Sequence, residues 1–244
     1  MAMSTQEEIT QAAKKNYSQS SPWPENDTWH QYTFTKEKET IEHWLSTFTT
    51  ENLHILNAGS GGTCYKTKGK LIHLDIIEDY IRQYDGYIVG SVEKIDLPDL
   101  SVDGVICVGS VLNYADAQQS ISEFTRILKY GGFLILEFER SNSAEFLGTE
   151  YHGKYIFSKT YCYNEQSHPL WLYSEKHIRT IMKHYGYSVK KCERIHIISS
   201  LLNRFGVHEE NAAKFAKFDH LFKFLSYPLA HNTILFCVKD MISK

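Results

Sequence analysis

No stretch of this chain reaches the roughly 18 consecutive apolar residues that a membrane span needs, so no spanning helix is expected. The N-terminal "MAMSTQEEITQAAKKNYSQSS" lacks an apolar h-region, which argues against a secretory leader. Basic residues are not in excess. The formal net charge of −3 argues against a general nucleic-acid binder, whose footprint is a basic stripe. Cys64, Cys107, Cys162, Cys192 and Cys237 show no CxxC spacing. An odd count in a chain of this size argues against a disulfide framework or a structural zinc site, and for reduced thiols in the cytoplasm. The histidines form no HxxxH or HExxH pair, so no metal site is assigned.

What is present is the composition of an ordinary globular protein, 42% apolar and 23% charged. A length of 244 residues allows one sizeable core with insertions. The first 35 residues are polar and carry Pro22, Pro24, Trp23, Trp29, Tyr32 and Phe34, and read as a loose arm with aromatic anchors. From Lys36, Ile41, Trp44, Leu45 and Phe48 fall on one helical face. Residues 1–50 are therefore expected to form an arm and helix that cap a domain spanning 51–244.

That domain begins with alternating units. Strands are expected at 53–58, 70–76, 86–91, 102–110 and 132–139, and the near-continuous apolar run "VDGVICVGS" suits a strand covered on both faces. A short helical piece, "IEDYIRQY", precedes the third strand. Asp116 reads as the N-cap of a helix whose inner face is Ile121, Phe124, Ile127 and Leu128, closed by Gly131-Gly132. Strands alternating with helices imply right-handed crossovers and a doubly wound α/β sheet. Two segments look like additions. Residues 140–173 contain a hairpin turning around Asn164–Ser167, and residues 199–230 contain an apolar face of Phe218, Leu221, Phe222 and Leu225. A helix from Ser174 to Tyr185 and strands at 187–198 and 231–238 complete the pattern.

The chemistry-bearing feature is "ILNAGSGG" at 55–62. Glycines at the end of a strand let backbone approach a ligand closely. A dinucleotide fingerprint would need a glycine at position 64, which is Cys64. Asp75 ends the second strand sixteen residues after Gly59, where an acid accepts hydrogen bonds from ribose hydroxyls.

With "GSVEKIDLPDLSVDGVI" and "RILKYGGFLIL", the ordered motifs over 53–139 resemble the class I S-adenosylmethionine-dependent methyltransferases, the group of type 11 methyltransferase domains. The resemblance implies a Rossmann-like, doubly wound seven-stranded sheet, mostly parallel with an antiparallel last strand. It also makes the 187–198 and 231–238 strands look like an antiparallel sixth and seventh. It implies S-adenosylmethionine as cofactor. Gly59 and Gly61 would lie against the cofactor's amino-acid part, with Ala58 and Ser60 offering backbone contacts. Asp75 would hold the ribose diol, Ile76 would pack on the adenine, and Ser91 and Val92 would read its edge. Gly109 and Ser110 would lie beneath the sulfonium, and Tyr114 would border the acceptor. The chain departs from the family pattern at Asn57 (an acid), Ser91 (an Asp), Thr63 (a glycine) and Tyr130 (a proline), and the helix after the glycine loop is cut short. Asn57→Asp is expected to keep the fold and cofactor binding.

Methyl transfer to oxygen or nitrogen needs alignment and, for a hydroxyl, a general base. The base candidates are Tyr151, His152, His168, His196 and Glu139, with His152 beside Tyr151 first. The acceptor is expected to be a small molecule of sugar or natural-product type, with neither nucleic acid nor membrane as partner and a homodimer open. The aromatic arm could fold over the cofactor, bringing Trp29 or Tyr32 near it, or simply pack on an edge. Two other readings stay open: a methyltransferase-like fold that binds cofactor or partner without catalysis, and an NAD-dependent oxidoreductase, against which Cys64 weighs.

Overall fold

A computed structural model describes residues 5–19, 21, 23–163 and 166–241. Pro22 and the Asn164 end of the expected hairpin turn lie outside the described residues. Two helices come first, α1 (Gln6–Tyr17) and α2 (Thr28–Ser46). The expected loose arm is therefore largely helical, and α2 begins eight residues before Lys36. Caps account for this. Thr5 and Glu8 form a reciprocal capping box on α1, and the Asp27 carboxylate accepts from the Trp29 and His30 amides to start α2.

The sheet contains β1 (His54–Ala58), β2 (Lys70–Asp75), β3 (Ile88–Val89), β4 (Val102–Cys107), β5 (Leu128–Glu139), β8 (Tyr187–Ile195) and β9 (Asn232–Lys239). Its order is β3-β2-β1-β4-β5-β9-β8. β9 runs antiparallel to both β5 and β8, so the last strand alone is reversed. The expectation of an antiparallel sixth strand is corrected, because β8 regains the common direction by pairing with reversed β9.

Strand alternation sends Leu56, Val105 and Leu134 to one face and Ile55, Ile106 and Ile135 to the other. The first face is covered by α4 (Ala117–Ile127), through Ile121 and Phe124, and α5 (Glu175–His184), through Ile178 and Met182. Asp116 caps α4 as expected, and Ser174 caps α5. β5 begins at Leu128, earlier than the expected helix end, because Leu128 already pairs with Val102. The second face is covered by α2, through Ile41 and Leu45. No helix forms over residues 59–69, between β1 and β2, and α3 (Glu78–Ile81) is a single turn.

The additions follow β5. β6 (Ile156–Tyr163) and β7 (Gln166–Tyr173) pair antiparallel, as expected of the hairpin. After β8 come α6 (Ile197–Arg204), α7 (Glu209–Ala213), a 3₁₀ stretch (Ala216–Leu225) and α8 (Ser226–Leu229). The expected inner face of this segment is corrected. Ala212, Ala213, Ala216 and Asp219 are buried, whereas Phe218, Leu221 and Phe222 are exposed.

A buried ion network pins these additions to the sheet. Glu175 accepts from Arg194 Nε (2.8 Å) and Nη2 (2.7 Å) and from Arg179 Nε (2.7 Å), with Arg140 Nη2 at 3.5 Å. The fully buried Arg140 also donates to the carbonyls of Ser226, Ala230 and Tyr227. Burial alone would raise the Glu175 carboxyl, but its arginines outweigh this and hold it at about 2. Removing one partner of a buried pair strands the other charge. Glu175→Ala is therefore expected to destabilise the fold by about 3–5 kcal/mol, read as a lowered urea midpoint.

Candidate active site

The C-terminal edge of the parallel strands is where open α/β sheets hold ligands. A cavity opens there, lined by residues at the ends of β1 (Asn57), β2 (Asp75), β4 (Val108, Gly109) and β5 (Glu139). His231 and Asn232 join them because reversed β9 starts at that same edge. Of the cofactor residues expected from sequence, Asn57, Gly59, Ser60, Gly61, Asp75, Ile76, Ser91, Val92, Gly109, Ser110 and Tyr114 all line this cavity. Ala58 does not. Its side chain is fully buried in the core against the sheet, which leaves only its backbone for a ligand.

The glycine loop is held by a dense set of bonds. Gly59 has φ +69°, and a Cβ there would meet Val111 Cγ2 at 2.3 Å, so only glycine fits. The Gly59 and Ser60 amides donate to the Leu74 carbonyl at 2.8 and 3.0 Å. Ser60 Oγ meets His73 Nδ1 at 2.7 Å, and the Gly61 amide donates to Asp75 Oδ2 at 2.8 Å. Asp75 Oδ1 takes the Ile77 amide at 2.9 Å. Burial outweighs these bonds and raises the Asp75 carboxyl above its ordinary range.

Asn57 is part of the same fastening. Its Nδ2 donates to the Thr63 carbonyl at 2.8 Å, closing the loop in place of the absent helix. An aspartate here would face that carbonyl with an oxygen, so the expected neutrality of Asn57→Asp is revised. The exchange is expected to cost about 1–3 kcal/mol, seen as a lower thermal midpoint with no ligand present.

α1 and α2 form the roof. Thr10, Ala13 and Tyr17 of α1 and Trp29, His30 and Thr33 of α2 line the cavity with Trp23. Trp23 Nε1 donates to Thr63 Oγ1 at 3.3 Å. Gln6 ties α1 to the core. Its Nε2 donates to the Tyr114 carbonyl at 3.0 Å, and its Oε1 accepts from Trp171 Nε1 at 2.7 Å. Of the two arm aromatics expected near the cofactor, Trp29 lines the cavity. Tyr32 instead donates to the Ala216 carbonyl at 2.8 Å and does not line the cavity.

A second chamber continues from the first. They share Tyr17, Trp29, His30, Tyr114, Glu139 and His231, and the second adds Glu145, Tyr161, His168 and Glu209 among its walls. At the junction His231 lies between two acids, Nε2 3.4 Å from Glu139 and Nδ1 3.3 Å from Glu145. Burial would lower the His231 pKa, but both carboxylates outweigh it and lift it to about 10. Burial would likewise raise Glu145, and His231 and Lys159 hold it at about 2. His168 is pulled down by burial and is neutral at neutral pH. Deeper, beneath Gly109, burial pushes both Glu37 and Glu137 upward, each reinforced by a neighbouring acid. Glu137 accepts from the Ser110 amide (2.6 Å) and Asn232 Nδ2 (2.7 Å), which fixes the left-handed Ser110.

The catalytic pair expected from sequence is not brought to either chamber. His152 Nε2 meets the Pro228 carbonyl at 3.0 Å, and the partly exposed Tyr151 packs on Phe157. His196 is also structural. It stacks on Trp29 at 3.9 Å, and its ring nitrogens meet Thr33 and Ser199. Glu139 and His168 are the base candidates that do reach the chambers. Tyr17 and His231 were missed. No signal marked Tyr17, but a residue opening a reversed strand always arrives at the edge where the parallel strands end.

A Rossmann-like sheet with a walled cavity at this edge defines a nucleotide-type binding fold. The sequence profile described as "Methyltransferase domain" matches residues 57–136, and over that span the chain is similar to the class I S-adenosylmethionine-dependent methyltransferases. The malonyl-[acyl-carrier protein] O-methyltransferase of Yersinia pestis is 30% identical over 105 residues, 38% of this chain and 39% of that protein. This chain thus spans well under two-thirds of that relative's length. The 1,6-didemethyltoxoflavin-N1-methyltransferase of Burkholderia thailandensis, solved with 1,6-didemethyltoxoflavin and S-adenosylhomocysteine, superposes with TM-score 0.60 and 11% identity, over 99% of this chain and 93% of its own. The [4+2]-cyclase SpnF superposes with TM-score 0.53 and 10% identity, over 83% and 81%. At such identities these superpositions report the fold alone.

The His231 ion triad has a pH signature. Its folded pKa of about 10 lies above the ordinary 6.5, so its contribution to stability is complete below about pH 6.5 and fades as pH rises toward 10. The stability gap between the wild type and His231→Gln is expected to narrow across that window, measured by chemical denaturation at successive pH values.

Proposed function

We propose that this chain binds S-adenosylmethionine in the first chamber and transfers its methyl group to a hydroxyl or amine of a small molecule held in the second. The observation that carries this is the shared wall at Tyr17, Tyr114, Glu139 and His231, which leaves the two chambers meeting at one point. The residues present fit the cofactor. Left-handed Gly59 and Gly61 leave bare backbone against the cavity, and Asp75 brings a carboxylate to the same space. When bound, the cofactor supplies a methyl on a sulfonium, an electrophile with a good leaving group.

The chain's own contribution is alignment and proton handling. Asp75 would accept hydrogen bonds from the ribose diol, Ile76 and Val92 would flank the adenine, and Ser91 would read its edge. Gly109, kept free of a side chain under Trp23, would leave room at the sulfonium. Tyr17 and Tyr114, whose hydroxyls lie 3.3 Å apart, would border the acceptor. His231 is cationic through the neutral range and unsuited to accept a proton. Ionised Glu139 and neutral His168 are the groups able to take one from an acceptor hydroxyl.

Among the described residues that line the chambers there is no lysine or arginine, whereas Glu139, Glu145 and Glu209 are present. That balance favours a neutral or cationic acceptor, of sugar or natural-product type, over one with a free carboxylate. The five free thiols support a cytoplasmic setting. A second reading, ligand binding without methyl transfer, draws on the uncharged Asn57 and on Trp23 lying over Gly109.

S-adenosylhomocysteine is expected to bind by calorimetry, and Asp75→Asn to weaken it by about tenfold, the loss of roughly one charge-assisted hydrogen bond. Absence of binding to the wild type at high micromolar ligand would sink the proposal. A methyl-sized mass gain on any screened acceptor would eliminate the non-catalytic reading.

A further inference from the structure

The segment 214–225 sorts its residues by threes. Ala213, Ala216 and Asp219 are buried, while Phe215, Phe218, Leu221 and Phe224 are exposed, Leu221 at 60% and Phe224 at 79%. Lys214, Lys217, His220 and Lys223 are exposed one position earlier in each triplet. In a 3₁₀ helix residues three apart eclipse one another, which aligns Phe218 with Leu221 and Lys217 with His220 before the kink. Lys214 and Phe215 precede them in a turn, so apolar and basic exposed residues run side by side. The 3₁₀ stretch is kinked at Phe222, whose φ of −117° and ψ of 20° are not helical, and the triplet rhythm of exposure resumes at Lys223 and Phe224.

The inward edge explains why the ridge is turned this way. Asp219 accepts from the Ile197 and Ile198 amides at 3.1 and 3.0 Å, which caps α6 and locks its own side of the ridge inward. Leu225 packs with Leu201 and Ile197 beneath. Placing four large apolar side chains in water therefore follows from a fixed register, and something must offset it.

The occupant can be argued from charge. The whole chain carries a net −3, and exposed Glu209 and Glu210 precede the stripe, but within 211–230 the sole acid is buried Asp219, against three exposed lysines. A symmetric contact with a second copy would bring both sets of these lysines into one interface, with Glu209 and Glu210 as the neighbouring exposed acids. None of Phe215, Phe218, Leu221 and Phe224 lines either chamber. Aromatic residues beside lysines on one short element is the pattern of interfacial membrane contact. There the apolar side enters the headgroup boundary and the ammonium groups meet lipid phosphates. Among the described residues no helix is long and apolar enough to cross a membrane, and a contact at the headgroup boundary departs from the expectation of no membrane partner.

We propose that residues 214–227 form a docking ridge for an anionic lipid surface. Phe215, Phe218, Leu221 and Phe224 insert, and Lys214, Lys217 and Lys223 contact phosphate. Tyr227, half-exposed at the end of the segment, adds an amphipathic ring of the kind that sits at headgroup level. The inference stands apart from the methyl-transfer proposal, since neither stripe reaches the cavities.

Flotation of the full chain with phosphatidylcholine vesicles, and with vesicles of phosphatidylcholine mixed with phosphatidylglycerol, tests it. The chain is expected to float with the mixed vesicles, to do so poorly with phosphatidylcholine alone, and to be released by salt. The triple variant Phe218→Ser, Leu221→Ser, Phe224→Ser is expected to bind at least about tenfold more weakly while keeping its thermal midpoint, because these side chains are exposed. Each Lys→Gln exchange at 214, 217 or 223 is expected to weaken binding by about fivefold. Absence of flotation on either vesicle would overturn the proposal, as would flotation that the triple variant leaves unchanged. A wild-type dimer in sedimentation that the triple variant turns into monomer, without vesicle binding, would reassign the ridge to contact between copies.

Discussion

The connection from β1 to β2 is too short for a helix, and much of the molecule is arranged around that constraint. Residues 59–69 join two parallel neighbours directly. The sheet face beside them carries Ile55, Ile106, Ile135 and Phe236, a surface too apolar to leave in water. α2 covers it with Ile41 and Leu45 from the N-terminal side. Once the later half of α2 is seated there, its earlier half must run out over the strand ends. Trp29, His30 and Thr33 thereby become cavity wall. One helix thus covers the core and supplies half of the site's roof, α1 supplying the other. Asn57 belongs to the same solution, since its amide closes the loop that a helix would otherwise order.

The charges at the site obey a second constraint. Buried ions need partners in good geometry, or their pKa values shift until they are neutral. Both outcomes occur within one region. Glu139 and Glu145 stay ionised because His231 lies between them. Glu37 and Glu137, buried beneath Gly109 near one another, are driven toward the protonated form. An acid and a cation are thus held at the chamber junction, and neutral carboxyl character lies under the loop that ends β4.

The sheet was legible because its signals are local. Runs such as "VDGVICVGS" and caps such as Asp116 and Ser174 report strand and helix from residues that touch along the chain. The glycine loop and Asp75 were legible for the same reason, since a left-handed turn at a strand end favours glycine. The caps at Thr5 and Asp27 were equally local, but aromatic and proline content masked them. His152 looked catalytic from its neighbours Tyr151 and Gly153. Its placement was decided by the additions, which fold back so that it meets the Pro228 carbonyl.

By itself the sequence determined the order and kind of the core elements, the glycine turn and the acid after it. Each depends on periodicity, φ preference or capping within a few residues. Tertiary structure alone decided which residues face one another across the cavity. Tyr17, Trp29, Glu139 and His231 come from four distant elements, and their meeting depends on where α2 packs and on the reversed direction of β9. It also decided which side of 214–225 faces water. A helical period of 3.6 would bury Phe218, Leu221, Phe222 and Leu225, but the tighter winding and the bonds from Asp219 to α6 turn those phenylalanines outward.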